Sequence, residues 1–479
     1  MPDNKQTASW AELLWGRNGL RSIALAGGVA LHAVNVYIVA TILPSVVRDI
    51  GGLQYYAWNM TLFVAASILS SALSPKALDA FGPRRAFLCA IAVFAAGTAL
   101  CALAPSMEWM LAGRTGQGLG GGLLLGLSYS STRIVFEERL WPKAMALISS
   151  MWGVATLAGP AIGGVFAESG NWRWAFGAVL PAALFLAFLV QTQIAVRPAA
   201  GAGGERPAVK VPLGQIGLLV ASVLAVSVAS LAHQLGWNVL GVALGLCIGA
   251  GVARLDNRTA VRLMPTGAYS LAGLGSIYAC VALLSVGITV EIFVPYFLQV
   301  LHGHSPLAAG YLCALMSGGW TIGAVTSSSR GHAAAGGFMR AGPVVSSLSL
   351  ACLAVLTPLQ VFGNAAVAGW AVALPLLGVG LGIGMCWPHL LTQVFKVAPA
   401  GQENMASSAI ITVQLYAMAL GAALGGIVIN AAGFTDPGGV PGTRQAALAL
   451  FVVFAMAPGL AAFIVTGVAR ARVRVGPGR

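Results

Sequence analysis

The sequence contains few charged residues for its length. Only 8% of its 479 residues are charged, whereas about a quarter of the residues in an ordinary soluble protein carry a charge. Hydrophobic residues make up 58%, so a water-soluble fold would lack the polar side chains to cover its surface. Apolar runs of about 20 residues, long enough to cross about 30 Å of hydrocarbon, follow one another along the chain. The composition predicts an all-α polytopic membrane protein.

Several motifs of other protein classes are missing. The seven cysteines are odd in number, lie inside apolar runs and form no CxxC pair, so they predict neither a disulfide framework nor a metal site. No HExxH, GxSxG or GxxxxGK[ST] sequence occurs, and no polar region is long enough for a nucleotide-binding domain. The sequence therefore predicts no enzyme, no ATP-driven pump and no cofactor.

Basic residues outnumber acidic ones and give a formal net charge of +13. They stand singly between apolar runs, so the charge does not predict a nucleic-acid partner. The first 20 residues contain no short apolar core followed by a cleavage site, so the first span is expected to remain in the mature protein. Trp10, Leu13 and Leu14 favour a short interfacial helix, with a disordered tail as the alternative.

Fourteen apolar spans are predicted, and the distribution of Lys and Arg orients them. The spans are 22–47, 55–74, 84–104, 107–133, 143–167, 172–194, 213–233, 237–254, 272–300, 306–328, 341–361, 366–394, 405–432 and 445–468. With both termini in the cytoplasm, 22 of the 26 Lys and Arg residues fall on the cytoplasmic side. This asymmetry predicts a multi-pass protein of the inner (plasma) membrane with cytoplasmic termini.

A glycine pattern occurs twice in the chain. "GQGLGGG" at 116–122 recurs as "GVGLGIG" at 378–384, an offset of 262 residues, and the same offset aligns "GPAIGG" at 159–164 with "GAALGG" at 421–426. A shared offset indicates two related halves. Close glycines also let helix backbones approach one another, which is the alternative, static explanation of each pattern taken alone.

The repeat predicts five regions. Each half holds six spans, and the offset leaves room for two more, which are placed at 213–233 and 237–254 after the Gly/Pro-rich linker 197–212. The regions are a cytoplasmic segment 1–21, an N-terminal six-helix bundle 22–194, a linker with two extra helices 195–271, a C-terminal six-helix bundle 272–468 and a cytoplasmic tail 469–479. Paired halves of this kind rock about a central site in secondary transporters.

Three ordered motifs resemble the major facilitator superfamily, and within it the fourteen-span drug:proton antiporters. "PKALDAFGPR" at 75–84 is similar to the family's loop between spans 2 and 3, with Pro75 in place of a glycine. "RTGQGLG" at 114–120 matches the span 4 pattern, and "ATLAGPAIGG" at 155–164 is similar to the antiporter signature of span 5, with Ala155 in place of its first glycine. The resemblance implies the major facilitator fold and a gradient-driven carrier with a central cavity.

Residues of three types are candidates for proton coupling. Arg114 lies inside a span, where a charge is costly, and the matching arginine of the family is implicated in coupling; the alternative is a structural role at backbone carbonyls. Glu291 lies within about 5 Å of the middle of its span and is expected to exchange protons, unless it stays protonated and hydrogen-bonded. Asn35 stands where many relatives have an aspartate, and His32, one turn earlier, can titrate or be a hydrogen-bonded core residue.

The family motifs predict a conformational switch. Asp79 lies near Arg84 and Arg85 and is a candidate latch, with a solvated loop cluster as the alternative. The full set of predicted switch residues is Asp79, Gly82, Arg84, Arg85, Gln117, Gly118, Gly159, Pro160, Gly163 and Gly164.

Aromatic and polar residues within spans are candidates for a substrate cavity, although such residues also face lipid or pack. The predicted cavity residues are Asn35, Tyr37, Trp58, Met385, Trp387, His389, Gln414 and Tyr416. The preferred function is proton-coupled export of hydrophobic or amphiphilic small molecules by a monomer in contact with membrane lipid. The alternatives are an uptake or lipid-related carrier and a non-transporting membrane receptor.

Overall fold

A computed structural model describes residues 9–194, 211–232, 234–270, 273–328, 332–359 and 365–474. These residues form α-helices and three short 3-10 helices, and no β-strand occurs among them. The α-helices are α1 (Trp10–Leu14), α2 (Gly16–Ile50), α3 (Trp58–Ala72), α4 (Ser74–Ala102), α5 (Met107–Val135), α6 (Trp141–Glu168), α7 (Trp172–Gly177), α8 (Val179–Gln193), α9 (Leu213–Ala229), α10 (Leu235–Arg258), α11 (Leu274–Ile288), α12 (Val294–His302), α13 (Pro306–Ser328), α14 (His332–Leu356), α15 (Ala365–Val397), α16 (Glu403–Ala431) and α17 (Gly439–Arg474). The 3-10 helices are Leu53–Tyr55, Glu138–Leu140 and Thr289–Ile292. The prediction of an all-helical polytopic protein is confirmed.

The number of helices that could cross a membrane is smaller than the number of predicted spans. Eleven helical segments of the described chain are long and apolar enough to cross a membrane. Each of the fourteen predicted spans coincides with a helix or a helix pair. Three of these helices, α3, α5 and α9, are not among the eleven segments that could cross a membrane. α3 has 15 residues and α9 has 17, while α5 carries Glu108, Arg114 and Arg133 among its glycines. The count of fourteen spans is not confirmed.

The chain packs into two compact units. Unit 1 comprises Met1–Val39 and Ala66–Val211, and unit 2 comprises Ala40–Ala65 and Pro212–Arg479. The boundary between the units falls inside α2 and inside α3. The domain bounds 22–194, 195–271 and 272–468 stay a prediction, and most of the predicted linker 197–212 lies outside the described residues.

In unit 1, the predicted loop between the second and third spans is helical. α4 begins at Ser74 and runs through this segment, and Gly82 interrupts it with φ 70° and ψ 167°, a conformation that glycine adopts without strain. Pro83 then begins the longer part of α4, because proline is favoured in a first helical turn. The Nε of Arg84 donates to the carbonyl of Ile194 at the end of α8 over 2.7 Å. The kink therefore places Arg84 as a cap on another helix.

In unit 2, the two additional helices pack on the helix that carries the second antiporter-like glycine pattern. α9 packs against both α10 and α16. The Ser222 hydroxyl lies 3.0 Å from the Tyr416 hydroxyl, and Asn430 donates to the Ser230 carbonyl over 2.9 Å. The Trp58 indole N–H is 3.4 Å from the Ser230 hydroxyl. These bonds join the α9–α10 pair to the rest of unit 2 at two levels.

A buried carboxylate organises the connection that follows α10. Asp256 is 1% exposed and accepts hydrogen bonds from the backbone N–H groups of Leu263 and Met264, at 2.5 and 3.0 Å, and from the Tyr269 hydroxyl at 3.2 Å. Burial, together with the Asp256 carboxylate, raises the pKa of Tyr269. These donors satisfy the buried carboxylate oxygens by hydrogen bonding, as a buried polar group requires.

The segment Leu274–His302 contains the most buried apolar stretch of the membrane-crossing candidates. It is not one regular helix, because the 3-10 turn Thr289–Ile292 separates α11 from α12. A 3-10 helix advances about 120° per residue against about 100° for an α-helix, so this turn shifts the register of the side chains. A uniform helical period would place Gly287, Glu291, Pro295 and Gln299 on one face, and the turn interrupts that stripe. Gly287 packs against Pro458 of α17.

Candidate functional site

The first glycine pattern packs α5 against two neighbours. A Cβ at Gly116 would lie 3.2 Å from Cα of Gly97 in α4, and one at Gly120 would collide with the backbone of Phe94, also in α4. A Cβ at Gly122 would collide with the backbone of Ser67 in α3. The Ser67 hydroxyl also donates to the carbonyl of the predicted switch residue Gly118, over 3.1 Å. Alternate glycines thus hold two helices at backbone contact.

The second glycine pattern does the same in unit 2. Cβ atoms at Gly380 and Gly384 would collide with backbone atoms of α13, and those at Gly378 and Gly382 would meet α14 at Ser349 and Gly342. At the offset of 262, the glycines of α5 that face α4 align with those of α15 that face α14. Likewise, Gly122, which faces α3, aligns with Gly384, which faces α13. The predicted repeat is therefore visible in the packing inside each unit.

A buried polar chain extends from Arg114 across α5 to α4. Arg114 and Gln117 are fully buried, and the guanidinium donates to Oε1 of Gln117 over 2.7 Å. The amide of Gln117 donates to the Thr98 hydroxyl over 3.0 Å, and that hydroxyl donates to the Phe94 carbonyl over 2.8 Å. A buried cation needs such partners, because an unsolvated charge is costly. The structure places Arg114 inside unit 1.

His32 and Asn35 lie one turn apart in α2. His32 is 2% exposed, its ring packs edge-on against Trp152 of α6 with centroids 5.9 Å apart, and it interacts electrostatically with Arg114. Asn35 is fully buried, and neither atom of its amide has a hydrogen-bond partner among the described residues. Two of the three predicted coupling residues therefore lie together in unit 1, beside an unsatisfied amide.

The antiporter-like motif of α6 also has a counterpart in unit 2. Gly159, Pro160, Gly163 and Gly164 are all buried, and a Cβ at Gly159 would collide with Tyr37 of α2. The aligned Gly421 of α16 lies against Thr289 in the 3-10 turn that carries Glu291. The same glycine position therefore packs on the first long helix of unit 1 and on this turn in unit 2.

Glu291 lies in the 3-10 turn Thr289–Ile292 of unit 2, between α13 and α16. The residue is partly buried, and its carboxylate has no hydrogen-bond partner among the residues that the structure describes. Gly421 and Gly425 of α16 pack against the turn at Thr289 and Phe293, and the Cys313 thiol of α13 lies 3.4 Å from the Glu291 carbonyl. A carboxyl with no fixed donor can gain or lose a proton without breaking a hydrogen bond.

The remaining predicted switch residues lie around the α4 kink. Asp79 and Arg85 are exposed, while Arg84 is half-buried and caps α8 through Ile194. The guanidinium of Arg84 therefore ties the α4 kink to the end of α8. Nothing among the described contacts places Arg85 in the same interaction.

The predicted cavity residues of unit 2 fall into two groups. Trp387 packs with Trp320 at a centroid distance of 4.9 Å, and His389 stacks on Phe338 at 5.8 Å, with Met385 half-buried on the same helix. Tyr416 packs against α9 at Ser222, whereas Gln414 is two positions away. Two residues differ by about 200° around a helix, so Gln414 and Tyr416 leave α16 on opposite faces. Trp58 is also held by α9, at Ser230.

The sequence analysis did not single out Tyr56, which the structure buries completely. Its ring contacts Phe293 at 5.7 Å, Tyr296 at 5.3 Å and Phe434 at 5.9 Å between centroids. Two left-handed glycines, Gly51 and Gly52, turn the chain before it. The adjacent aromatic residues "YY" in a glycine-rich connection were the available signal, but nothing in the sequence says that the second ring is inside.

Two histidines follow the Glu291 segment. Nε2 of His302 lies 3.0 Å from the Thr357 carbonyl, and the rings of His302 and His304 are 6.2 Å apart. Burial lowers the pKa of His304, so its neutral form is favoured. Both residues are half-buried.

Comparisons of the sequence with known proteins point to one family. A profile of the Major Facilitator Superfamily matches residues 25–426. A probable multidrug-efflux transporter of Mycobacterium tuberculosis is 38% identical over 466 residues, covering 96% of this chain and 97% of that protein. Multidrug resistance protein 3 of Bacillus subtilis is 26% identical over 315 residues, covering 63% of this chain and 59% of that protein.

Solved structures show the same fold at low identity. A bacterial homolog of the human lysosomal transporter Spinster, in an inward-facing and unoccupied conformation, aligns with a TM-score of 0.64 at 14% identity, covering 96% of this chain and 98% of that chain. A D-xylose–proton symporter aligns with a TM-score of 0.61 at 13% identity, covering 92% of this chain and 97% of that chain. These likenesses show the fold that the chain shares with both structures.

Proposed function

Because the chain belongs to the major facilitator superfamily, we propose that it is a proton-coupled antiporter that exports hydrophobic or amphiphilic small molecules. Export is supported by the 38% identity to a probable multidrug-efflux transporter along nearly the whole of both chains. A secondary transporter draws its energy from an ion gradient, so the chain needs a group that binds the ion.

The position of Glu291 carries the proposal. Its carboxyl lies inside a membrane-crossing segment, in a 3-10 turn, and no described residue donates a hydrogen bond to it. An ionisable residue within a span marks an ion or proton pathway by default, because a charge there is costly without a function. We assign Glu291 as the proton site.

Unit 1 contributes the second part of the mechanism. Arg114 supplies a fixed positive charge held by Gln117, and His32 lies within electrostatic range of that charge. The unsatisfied amide of Asn35 offers a donor and an acceptor to a bound molecule. We assign Arg114 and His32 to coupling and Asn35 to substrate contact.

The substrate surface of unit 2 is proposed at Met385, Trp387, His389 and Gln414. Large rings beside a methionine bind varied apolar molecules, because these side chains adapt and stack without a fixed hydrogen-bond pattern. We leave Tyr416 and Trp58 out of this surface because both are bonded to α9.

The test is transport by the purified protein in proteoliposomes with an imposed pH gradient. A substrate that is exported in exchange for protons collapses the gradient, and Glu291→Gln is expected to abolish this response while substrate binding persists. The matched control is Glu138→Gln, which removes an exposed carboxyl. Undiminished gradient-driven transport by Glu291→Gln would show that the proton is bound elsewhere.

Direction is tested in cells with and without the protein. Lower accumulation of a toxic amphiphile in producing cells supports export. Higher accumulation would establish uptake, and no change for any compound class with a folded protein would favour a receptor.

A further inference from the structure

The connection between α12 and α13 brings two histidine rings together. Residues two positions apart on an α-helix point about 200° away from each other, so His302 and His304 would not meet if α12 continued. Gly303 ends the helix in a left-handed conformation with φ 67°, and the His304 backbone N–H donates to the Leu298 carbonyl over 3.1 Å. This helix cap turns the chain, and the two ring centroids lie 6.2 Å apart.

The ring of His302 is held by a backbone carbonyl. Its Nε2 lies 3.0 Å from the carbonyl oxygen of Thr357, the residue that follows α14. A carbonyl oxygen can only accept, so Nε2 carries the proton in the neutral ring and Nδ1 keeps its lone pair. Metal-binding histidines are commonly oriented in this way, with the second ring nitrogen donating to a backbone carbonyl. The bond therefore leaves His302 in a tautomer that can ligate a metal ion.

His304 has a ring nitrogen that no described residue uses. Its Nε2 is buried and has no hydrogen-bond partner in the described part of the chain. A buried polar atom without a partner destabilises the fold, because it has lost its bonds to water. Both histidines are half-buried as residues, so the pair is partly accessible. A bound ion would give this nitrogen a partner.

The ends of two helices favour a cation at the same place. α12 ends at His302 and α14 ends at Leu356, and the hydrogen bond from His302 to Thr357 joins the two ends. The last carbonyls of a helix carry a partial negative charge, which stabilises a cation near the last turn. The backbone around the histidine pair is therefore electrostatically suited to a positive ion.

We propose that His302 and His304 form a binding site for a divalent transition-metal ion of the zinc type. Imidazole nitrogen suits zinc, nickel and copper, whereas Mg²⁺ and Ca²⁺ prefer oxygen ligands. Two rings on one tetrahedral zinc ion, with Zn–N distances of about 2.0–2.1 Å, have centroids about 5 Å apart, so a small rotation of His304 closes the separation of 6.2 Å.

The metal shell is completed by water. No third histidine, cysteine or carboxylate joins the pair among the residues that the structure describes. The site goes beyond the proposed function, because neither ring is assigned to substrate or proton binding. Since His302 contacts Thr357, a bound ion ties the connection between α12 and α13 to the end of α14.

The test is a zinc titration of the purified full-length protein in lipid nanodiscs, in competition with a chromophoric zinc chelator. The affinity tag contains no histidine, and N-ethylmaleimide first blocks the exposed thiols of Cys89, Cys247 and Cys352. We expect one ion per chain. His302→Gln and His304→Gln should each weaken binding by about tenfold or more, and the double variant should abolish it.

The matched control is His389→Gln. It removes an imidazole that stacks on Phe338 in another part of unit 2, and zinc affinity should not change. Electron paramagnetic resonance with Cu²⁺ gives a second readout, with nitrogen couplings from two imidazoles in the unaltered protein and from one in each single variant. Zinc should raise the unfolding temperature of the unaltered protein and not that of the double variant, while equal unfolding temperatures without metal exclude a folding defect.

Three results would overturn the inference. They are the absence of stoichiometric zinc binding, full zinc affinity in His302→Gln or His304→Gln, and displacement of zinc by an equal concentration of Mg²⁺. None of these measurements involves transport, so a failure of the metal site leaves the proposed function in place.

Discussion

The glycine-rich helices α5 and α15 share a packing pattern and differ in the side chains between the glycines. In both helices, alternate glycines meet two neighbouring helices at backbone distance. At the offset of 262, Arg114 and Gln117 of α5 align with Leu376 and Val379 of α15, and all four are buried. Duplication thus retained the residues that set helix spacing and kept a buried cation in only one copy. The glycines that set the helix spacing occur in both halves, whereas the buried positive charge of Arg114 occurs in only one.

The largest effect is expected from breaking the shared packing. Gly120→Ala in unit 1 and Gly382→Ala in unit 2 each place a Cβ against backbone atoms, Phe94 and Gly342 respectively, which cannot rotate away. We expect a loss of about 3 kcal/mol in both, the upper range for an overpacked core. Thermal unfolding of the protein in detergent measures it.

The controls are Gly153→Ala and Gly318→Ala, at positions with nothing within 4 Å of the new Cβ. Alanine at a tolerant helical site stabilises by roughly 0.5–1 kcal/mol, so the sign should reverse. If Gly120→Ala destabilised the protein and Gly382→Ala did not, the two helices would not share one packing role.

A smaller effect is expected from exchanging the residues that differ. Gln117→Val removes the acceptor at 2.7 Å from the Arg114 guanidinium and should cost about 2 kcal/mol, as for other bonds to charged groups. Val379→Gln buries an amide where apolar atoms pack, and its loss should be similar. Chemical and thermal denaturation of both variants measures it.

The double variant Arg114→Leu with Gln117→Val makes α5 resemble α15. Because the buried charge leaves together with its partner, we expect it to unfold at no lower temperature than Gln117→Val alone, but without gradient-driven transport. A fully active double variant would remove Arg114 from the mechanism.

The smallest effect is expected on the two faces of α16. Tyr416→Phe deletes the 3.0 Å contact with Ser222 and should cost about 1 kcal/mol without changing transport. Gln414→Ala, two positions away, should alter the range of transported compounds with little change in stability. Competition between labelled and unlabelled substrates distinguishes the two, and a changed substrate range in Tyr416→Phe would return that residue to the cavity.

The sequence predicted features that depend on composition and repetition. Hydropathy gave the helical membrane class, and the offset of 262 correctly paired α5 with α15 and Gly159 with Gly421. The motif residues gave the family. These signals are strong because a span must be apolar over its length and a close helix crossing needs glycine.

Features that depend on a change of register were not predictable. The 3-10 turn at Thr289–Ile292 contains no Gly or Pro, so nothing in the sequence marks where the helical register of this segment changes. The predicted count of fourteen spans is also not confirmed, because α3 and α9 are short. Asp256 and Tyr56 gave no pattern, since their partners are backbone groups or rings distant in the chain.

The hydrogen bonds from α9 to α16 hold the α9–α10 pair to unit 2, so a label on α10 follows that unit. Cys247 of α10 is exposed, as is Cys89 of α4 in unit 1, while Cys352 is the remaining exposed thiol and four cysteines are buried. With Cys352 replaced, the chain carries one exposed thiol in each unit, each within a membrane-crossing helix. Lipid-soluble thiol-reactive fluorophores on both would report whether the distance between these two positions changes during turnover, without a new cysteine being introduced.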